Sequence, residues 1–258
     1  MSYNERFAGI ARLYGITGQQ KLHNAHITII GLGGVGSWSV ECLARSGVGH
    51  LCVIDLDDVS ESNINRQLHA LSTTIGLNKA VALAERCKLI NPTLTIDVRE
   101  DFAVPDNLDE IIPDQTNVII DAVDAVAAKA AIIHFAKRSK IKVITTGGAG
   151  GQRDPLKITK GDLAKTTQDP LAAKVRSELR RKYNFSKNPK RRFGVECIYS
   201  KEQLTFPTVD GGTSQEKQQL QGSGKMDCAT GYGAFVGVTA TFGMVAASSA
   251  IDYLTREK

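Results

Sequence analysis

The chain has 258 residues, 42% of them hydrophobic, and a net charge of +5, an ordinary balance for a soluble globule with room for one sizeable α/β domain and an elaboration. The N-terminal stretch MSYNERFAGIARLYG carries charge and no long apolar run, so no secretory signal is visible and a cytoplasmic protein is expected. The five cysteines (Cys42, Cys52, Cys87, Cys197, Cys228) include no CxxC pair; their spacing supports neither a zinc knuckle nor a redox dithiol, and buried reduced thiols are expected.

Along the chain, His26 to Ile30 is an apolar, strand-like run that turns through Gly31, Gly33, Gly34 and Gly36 into a helical pattern reaching Arg45. A glycine loop that opens a helix brings backbone N–H groups and the positive helix end up to phosphate with no Cβ in the way. The next run, HLCVIDLDD, places Asp55 at a second strand end, where an acid can accept from ribose hydroxyls. Then DDVSESNINRQ, residues 57–67, packs acids, asparagines and an arginine into one turn-like stretch. A helix is predicted from about Lys79 to Ile90 and a strand over Thr95 to Arg99. Cations favour helix C-termini, so Lys79 in a first turn points to a nearby anion; the alternative, for Lys79 and Arg66 alike, is a solvated charge. Two cations and a ribose acid around one loop fit a triphosphate better than a dinucleotide, because nucleotidyl transfer needs a phosphate clamp and hydride transfer does not.

Val118 to Ile120 is a further apolar run, with Asp121 and Asp124 where strand gives way to helix, at the carboxyl edge where open α/β sheets bind ligands. KVITTGGAGG, residues 142–151, repeats the strand-to-glycine pattern. Residues 157–201 hold 13 Lys/Arg against 4 Asp/Glu, +9, leaving the remainder at −4. A helix from Asp169 to about Phe185 carries Lys174, Arg176, Arg180, Arg181 and Lys182, and Lys187, Lys190, Arg191 and Arg192 follow in a loop. Such a run is an electrostatic footprint for nucleic acid, with a solvated face as the alternative. Tyr183, Phe185 and Phe193 interleave with the cations, to stack on unpaired bases or to pack in the core. Residues 208–225 are polar and aperiodic, as expected of a mobile loop.

Cys228 precedes a helical pattern, where a helix N-terminus can lower a thiol pKa; a buried thiol is the alternative. From Tyr232 to Leu254 the chain is uncharged until Asp252 but diluted by Gly, Ala, Ser and Thr. A helix packed in the core or at a dimer interface is expected, with Gly233 and Gly237 allowing close approach; on length alone a membrane anchor is the alternative.

Gly31-Leu-Gly-Gly-Val-Gly36, Asp55, SNINRQ (62–67), Lys79 after GLN and DAVD (121–124) together resemble the ATP-binding core of the MoeB/ThiF and ubiquitin-activating-enzyme superfamily. That resemblance implies an α/β, Rossmann-like doubly wound sheet of the adenylation type in which ATP activates a carboxylate. It implies Asp55 on the ribose, with Asp57 beside it, and the glycine loop facing the nucleotide. Asn63, Arg66, Gln67 and Lys79 would hold the triphosphate and Asp124 a Mg2+ ion, while Arg12 is similar to an arginine given across a homodimer. The whole chain is then one adenylation domain: an ATP core over 1–150, a basic helical insertion and mobile loop over 151–225, and a C-terminal helix over 226–258.

The second half is similar to one branch of that superfamily, the tRNA threonylcarbamoyladenosine dehydratases, over GGAGGQRDPLKITKGDLAKTTQDPLAAKVRSELRRKYNF (147–185), KRRFGVECIYSKE (190–202) and KMDCATGYGAFVGVTATFGMVAA (225–247). The resemblance implies adenylation of a threonyl carboxylate on tRNA position 37 and intramolecular ring closure. A cysteine desulfurase and its sulfur acceptor are further partners it implies, through Cys228. Two alternatives compete: an activator of a ubiquitin-like sulfur carrier, disfavoured by the missing CxxC pairs and the basic segment, and a dinucleotide-binding oxidoreductase, which leaves Arg66, Lys79 and Asp124 without a task.

Overall fold

The structure, a computed structural model, describes residues 2–208, 210–216 and 232–256. Helix α1 (Tyr3–Arg6) is one turn capped by the Ser2 side chain, and α2 (Ala8–His23) is broken at Gly15, whose φ of 75° glycine adopts without a Cβ clash. The strands β1 (His26–Ile30), β2 (His50–Ile54), β3 (Thr95–Arg99), β4 (Val118–Asp121), β5 (Lys142–Thr146), β6 (Ile158–Asp162) and β7 (Glu196–Ser200) form one seven-stranded sheet ordered β3-β2-β1-β4-β5-β7-β6. All neighbours pair in parallel except β6, which runs antiparallel on β7 at the edge.

A parallel sheet is covered on both faces, which is why the central strands read as continuous apolar runs. Leu51 and Val53 of β2 join one core with Val40 and Leu43 of α3 (Gly36–Arg45), Leu83 of α4 (Lys79–Ile90) and Phe242 and Ala246 of α8 (Val236–Thr255). Cys52 and Ile54 point the other way. They join α5 (Leu108–Ile111), Ile132 and Ile133 of α6 (Val126–Arg138), and Val175 and Leu179 of α7 (Pro170–Lys182). Phe242 is fully buried, and truncating such a side chain to alanine costs about 3–5 kcal/mol.

Several expectations change. The segment set apart as a basic insertion supplies β6 and β7, so it extends the main sheet rather than standing outside it. The C-terminal helix starts at Val236, not Tyr232, and its close approach to α3 comes at Gly243 rather than at Gly233 or Gly237. A Cβ on Gly243 would stand 2.3 Å from the Val35 carbonyl O, and Ser39 Oγ donates to the Gly243 carbonyl at 2.9 Å. With one face buried on α3 and the sheet, α8 is a core helix, and no helix among the described residues is long and apolar enough to cross a membrane.

The aromatics of the basic segment pack inward. Phe193 is 7% exposed and edge-on to Phe185 at 5.0 Å, and Tyr183 stacks on His134 at 4.5 Å. Cys52, Cys87 and Cys197 are buried thiols, the first two pushed up to about 12 by burial. Cys228 and most of the expected mobile loop lie outside the described residues.

Candidate active site

The strand order reverses between β1 and β4, and ligands of open α/β sheets bind at the carboxyl ends beside such a reversal. Here a cavity of about 570 Å³ opens, lined by residues that follow β1, β2, β3, β4 and β5. Its floor is the first glycine loop. Gly31 (φ 85°) would drive a Cβ to 2.9 Å from the Ala122 carbonyl carbon, and a Cβ on Gly36 would lie 1.8 Å from the Gly31 oxygen. These two glycines let the backbone fold on itself. Gly34 is different: a Cβ there would crowd side chains of the cavity wall, Arg66 Cγ at 3.1 Å and Thr239 Cβ at 3.4 Å, rather than backbone.

Asp55 stands at the end of β2 with its orientation set from two sides, accepting from Leu32 N at 2.6 Å and from Asp57 N at 2.9 Å. Burial raises its pKa, against the opposing pull of Lys79 and those N–H groups. Lys79 is the first residue of α4, behind Asn78, which caps the helix by accepting from Ala80 N and Val81 N. The lysine is 6% exposed and its Nζ lies 2.7 Å from Asp57 Oδ2 and 4.0 Å from Asp55 Oδ1. The expected anion is therefore, in this ligand-free arrangement, a pair of carboxylates.

The stretch 61–67 winds as a short turn. Ser60 and Asn63 cap it reciprocally, Asn63 Oδ1 accepting from Ser60 N at 3.2 Å, so half of the Asn63 amide serves the fold. Arg66 curls back, Nη1 donating to Ser62 O at 2.7 Å and to Asn65 Oδ1 at 3.0 Å, while its own carbonyl accepts from Trp38 Nε1 at 3.0 Å. Gln67 is 6% exposed and its Oε1 has no partner, an orphaned acceptor in the cavity wall beside Gly33. Buried polar atoms are rarely left so, and a ligand or its water would satisfy it.

Of the eleven nucleotide-binding candidates, the cavity brings together Gly31, Gly33, Gly34, Asp55, Asp57, Asn63, Arg66, Gln67, Lys79 and Asp124; Gly36 supports the floor from beneath. Asp124 is exposed on the loop after β4, whereas Asp121 is wholly buried and engaged by Lys129 and Thr145. Of the two acids in DAVD, Asp124 alone is free to hold a cation. Among the described residues no cluster of three or more His, Cys, Asp or Glu is arranged for a metal. Arg12 is exposed on α2 and does not line the cavity of its own chain.

Sequence reasoning missed part of the wall. Asp101, Phe102 and Ala103 after β3, Leu171 on α7, Tyr232 and Ala234, and Thr239 on α8 all line the cavity. The signal for 101–103 was their place after a parallel strand; for the α8 side none was local. His69, 2% exposed, has no partner on either ring nitrogen, and burial, with the charge of Lys79 behind it, depresses its pKa from 6.5 to about 4.

The basic candidates divide by position. Asp169 caps α7, accepting from Ala172 N at 2.9 Å, and also accepts from Gly148 N at 3.1 Å, so the helix starts at the cavity. Its 13 residues then carry it about 20 Å away at 1.5 Å each. Because β7 runs parallel to β5, residues 186–195 lie at the opposite edge of the sheet. Lys174 is exposed, while Arg176 bonds to Thr166 Oγ1 nearer the cavity end. Arg180 donates to Ser186 O, and its guanidinium stands 5.4 Å from the Phe193 ring. Arg181 and Lys182 pair with Glu178, and Lys190, Arg191 and Arg192 are exposed.

Comparison with known proteins agrees with this geometry. The chain matches the ThiF family over residues 3–258. It is 50% identical over 257 residues to the tRNA threonylcarbamoyladenosine dehydratase of Haemophilus influenzae, covering 100% of this chain and 96% of that one. Among solved structures it resembles the Escherichia coli tRNA N6-threonylcarbamoyladenosine dehydratase in complex with ATP (TM-score 0.85, 45% identity, 97% of this chain and 94% of that one). It resembles the same enzyme in complex with AMP with a TM-score of 0.86 at 45% identity, over the same shares of the two chains.

Proposed function

The chain belongs to the ThiF family, and from that membership and the cavity we propose that it is an ATP-dependent, adenylating tRNA-modifying enzyme that dehydrates N6-threonylcarbamoyladenosine at position 37 to a cyclic form. The observation that carries the reading is the convergence of Asp55, Arg66, Lys79 and Asp124 on one glycine-floored cavity. A carboxylate and a triphosphate are both anionic, and negative charge grows on the bridging oxygen as pyrophosphate leaves. Each donor aimed at that charge is worth on the order of 3 kcal/mol.

Asp55, held by Leu32 N and Asp57 N, accepts from the ribose. Lys79 exchanges Asp57 for phosphate oxygens, and Arg66 reaches the same group with the donors not used on Ser62 and Asn65. Asp124 would hold a Mg2+ ion, which would supply charge neutralisation of the polyphosphate. No general base is required, since a carboxylate is ionised at neutral pH. The threonyl carboxylate attacks the α-phosphorus and pyrophosphate departs. An atom of the neighbouring carbamoyl group then attacks the activated carbonyl, passes its proton to solvent water and expels AMP, closing a five-membered ring. Proximity within one nucleoside supplies an effective molarity of about 10⁵ M or more when well oriented. The scheme has no step for a thiol, so a cysteine desulfurase and its sulfur acceptor would meet this chain in another role, through Cys228.

The tRNA follows α7 away from the cavity in this reading, its stem phosphates meeting Arg180 to Lys182 and Lys190 to Arg192. A homodimer accounts for Arg12: with Leu13 and Ile16 beside it 73% and 81% exposed, α2 offers an apolar face and an arginine to a second copy. Mixing Arg12→Ala and Lys79→Ala subunits is expected to recover up to about a half of parental activity in the mixed dimers, about a quarter over a random mixture; no recovery in a proven mixed dimer would remove Arg12 from the partner's site.

The test of the reaction is incubation with Mg-ATP and tRNA bearing the modified nucleoside, digestion, and mass spectrometry for loss of one water. If the nucleoside stays intact while ATP–pyrophosphate exchange needs a sulfur-carrier protein, the substrate assignment is wrong and the adenylation core stands.

A further inference from the structure

Beneath the cavity lies a buried cation for which the scheme above has no task. Lys129, on α6, is 1% exposed and heads the largest fully buried side chains. Its ammonium donates to Asp121 Oδ2 at 2.9 Å, to the Asp121 carbonyl O at 3.2 Å and to Thr145 Oγ1 at 3.1 Å, which places all three of its protons. Thr145 Oγ1 donates in turn to Asp121 Oδ2 at 2.6 Å, and Thr146 Oγ1 to the Asp121 carbonyl at 3.3 Å. The last residue of β4 is thereby tied to the last two of β5.

The catalytic cavity begins directly beyond those strand ends. Three residues past Asp121 comes Asp124, and directly past Thr146 come Gly147 to Gly150, all of them lining the cavity. The glycine turn is held from its far side too, for Gly148 N donates to Asp169, and a Cβ on Gly147 would lie 1.7 Å from that carboxylate. Asp169 is 5% exposed. Burial is the largest influence on both carboxyls and raises them; the charge of Lys129 opposes it on each. Of these two acids, Lys129 is in direct contact with Asp121 alone, whereas Asp169 is held by the N–H groups of Ala172 and Gly148.

Stability does not explain such a cluster, because exchanging a buried ion pair for well-packed apolar groups is often neutral or favourable. A fixed geometry does explain it. We propose that Lys129 is a positioning residue for the adenylation reaction, setting the gap between the Asp124 loop and the Gly147–Gly150 turn across which the reactants must align. The inference rests on the adenylation reading. It concerns the rate of the chemical step more than nucleotide capture, since of the side chains assigned to ATP only Asp124 stands on this side of β1, while Asp55, Asn63, Arg66, Gln67 and Lys79 stand on the other.

Two variants test it. Asp121→Asn with Lys129→Met removes both charges together and leaves neither partner stranded. Thr145→Val keeps the ion pair and nearly the volume, removes the two hydrogen bonds that join Thr145 to Lys129 and Asp121, and leaves the Thr146 bond to the Asp121 carbonyl in place. ATP affinity is read by titration, and single-turnover AMP formation with modified tRNA is read by quench. In the double variant, affinity is expected to stay within about threefold of the parent while the rate falls on the order of 100-fold, the scale of a 1 Å misplacement. Thr145→Val is expected to lose rate by a few-fold, again without loss of affinity, and it alone decides the matter if the double variant does not fold. Parental rates in the folded variants would overturn the proposal, as would a rate loss matched by an equal loss of ATP affinity. A parent that forms no AMP with the modified tRNA would instead strike the adenylation reading.

Discussion

Lys79 and the cationic end of α7 carry the same kind of charge in opposite settings. Lys79 is 6% exposed and already paired with Asp57, whereas Arg181 and Lys182 expose 68% and 50% of their side chains around Glu178. A buried cation acts through a low local dielectric and is placed by its helix start, so its loss is felt by one ligand atom. Exposed cations act through a screened field over many contacts, each weak and partly replaceable. The difference teaches that charge density along the sequence is a poor guide to burial: the densest basic run is the exposed one, and the isolated Lys79 is the buried one.

The comparison breaks most plainly at Lys79. Lys79→Ala is expected to lower single-turnover ATP cleavage by about 10²–10³-fold, the cost of removing one donor from a developing charge, while far-ultraviolet circular dichroism stays parental. Retained cleavage would dissolve the distinction between the two regions.

His69 sharpens it through pH. The unfolded chain takes up the imidazole proton near 6.5, but the folded protein refuses it until about 4. Between those values the unfolded state binds more protons, so stability falls as pH drops, by about 3 kcal/mol at most. Urea midpoints measured from pH 7 to 4 are expected to fall less steeply in His69→Leu than in the parent; parallel curves would deny His69 that role.

Gly34 and Gly36 offer a matched pair. Gly34→Ala displaces the Arg66 side chain, whose Cγ would stand 3.1 Å away, and is expected to weaken ATP binding about tenfold, roughly 1.4 kcal/mol, with little change in Tm. Gly36→Ala meets the Gly31 oxygen at 1.8 Å and is expected to compromise folding instead. Equal thermal stability of the two variants would contradict the division of the loop into floor and cradle.

The smallest effect belongs to α7. Replacing Arg180, Arg181 and Lys182 together with glutamine is expected to weaken tRNA binding by about three- to tenfold at low salt and to flatten the dependence of log K on log salt, because fewer counterions are released. An unchanged salt slope would move the RNA off this face.

Much of the site was legible because it is built from short-range patterns. An apolar run, a glycine loop and a strand-end acid fall within residues 26–55, and the cavity-lining Asn63, Arg66, Gln67 and Lys79 come within one connection. These residues reach one cavity because parallel strands bring all their carboxyl ends to one edge. The basic segment was legible as charge and as a helix from Asp169, which is α7, but not in its packing. That its aromatics turn inward, that β6 and β7 extend the main sheet, and that α7 carries its arginines away from the cavity are consequences of packing partners far off in the chain.

By itself, then, the sequence determined the order of strands, glycines and acids, since backbone freedom and hydrophobic period are properties of neighbouring residues. Tertiary structure alone decided that α8 is a core helix whose Thr239 lines the site, and that Asp121 is buried while Asp124 stays open. It also made Lys129, inconspicuous between alanines, the buried tie between two strand ends. The physical reason is the same in each case: burial and pairing depend on what packs opposite, and that partner is 16 residues away for Lys129 and Thr145 and 204 away for Ser39 and Gly243.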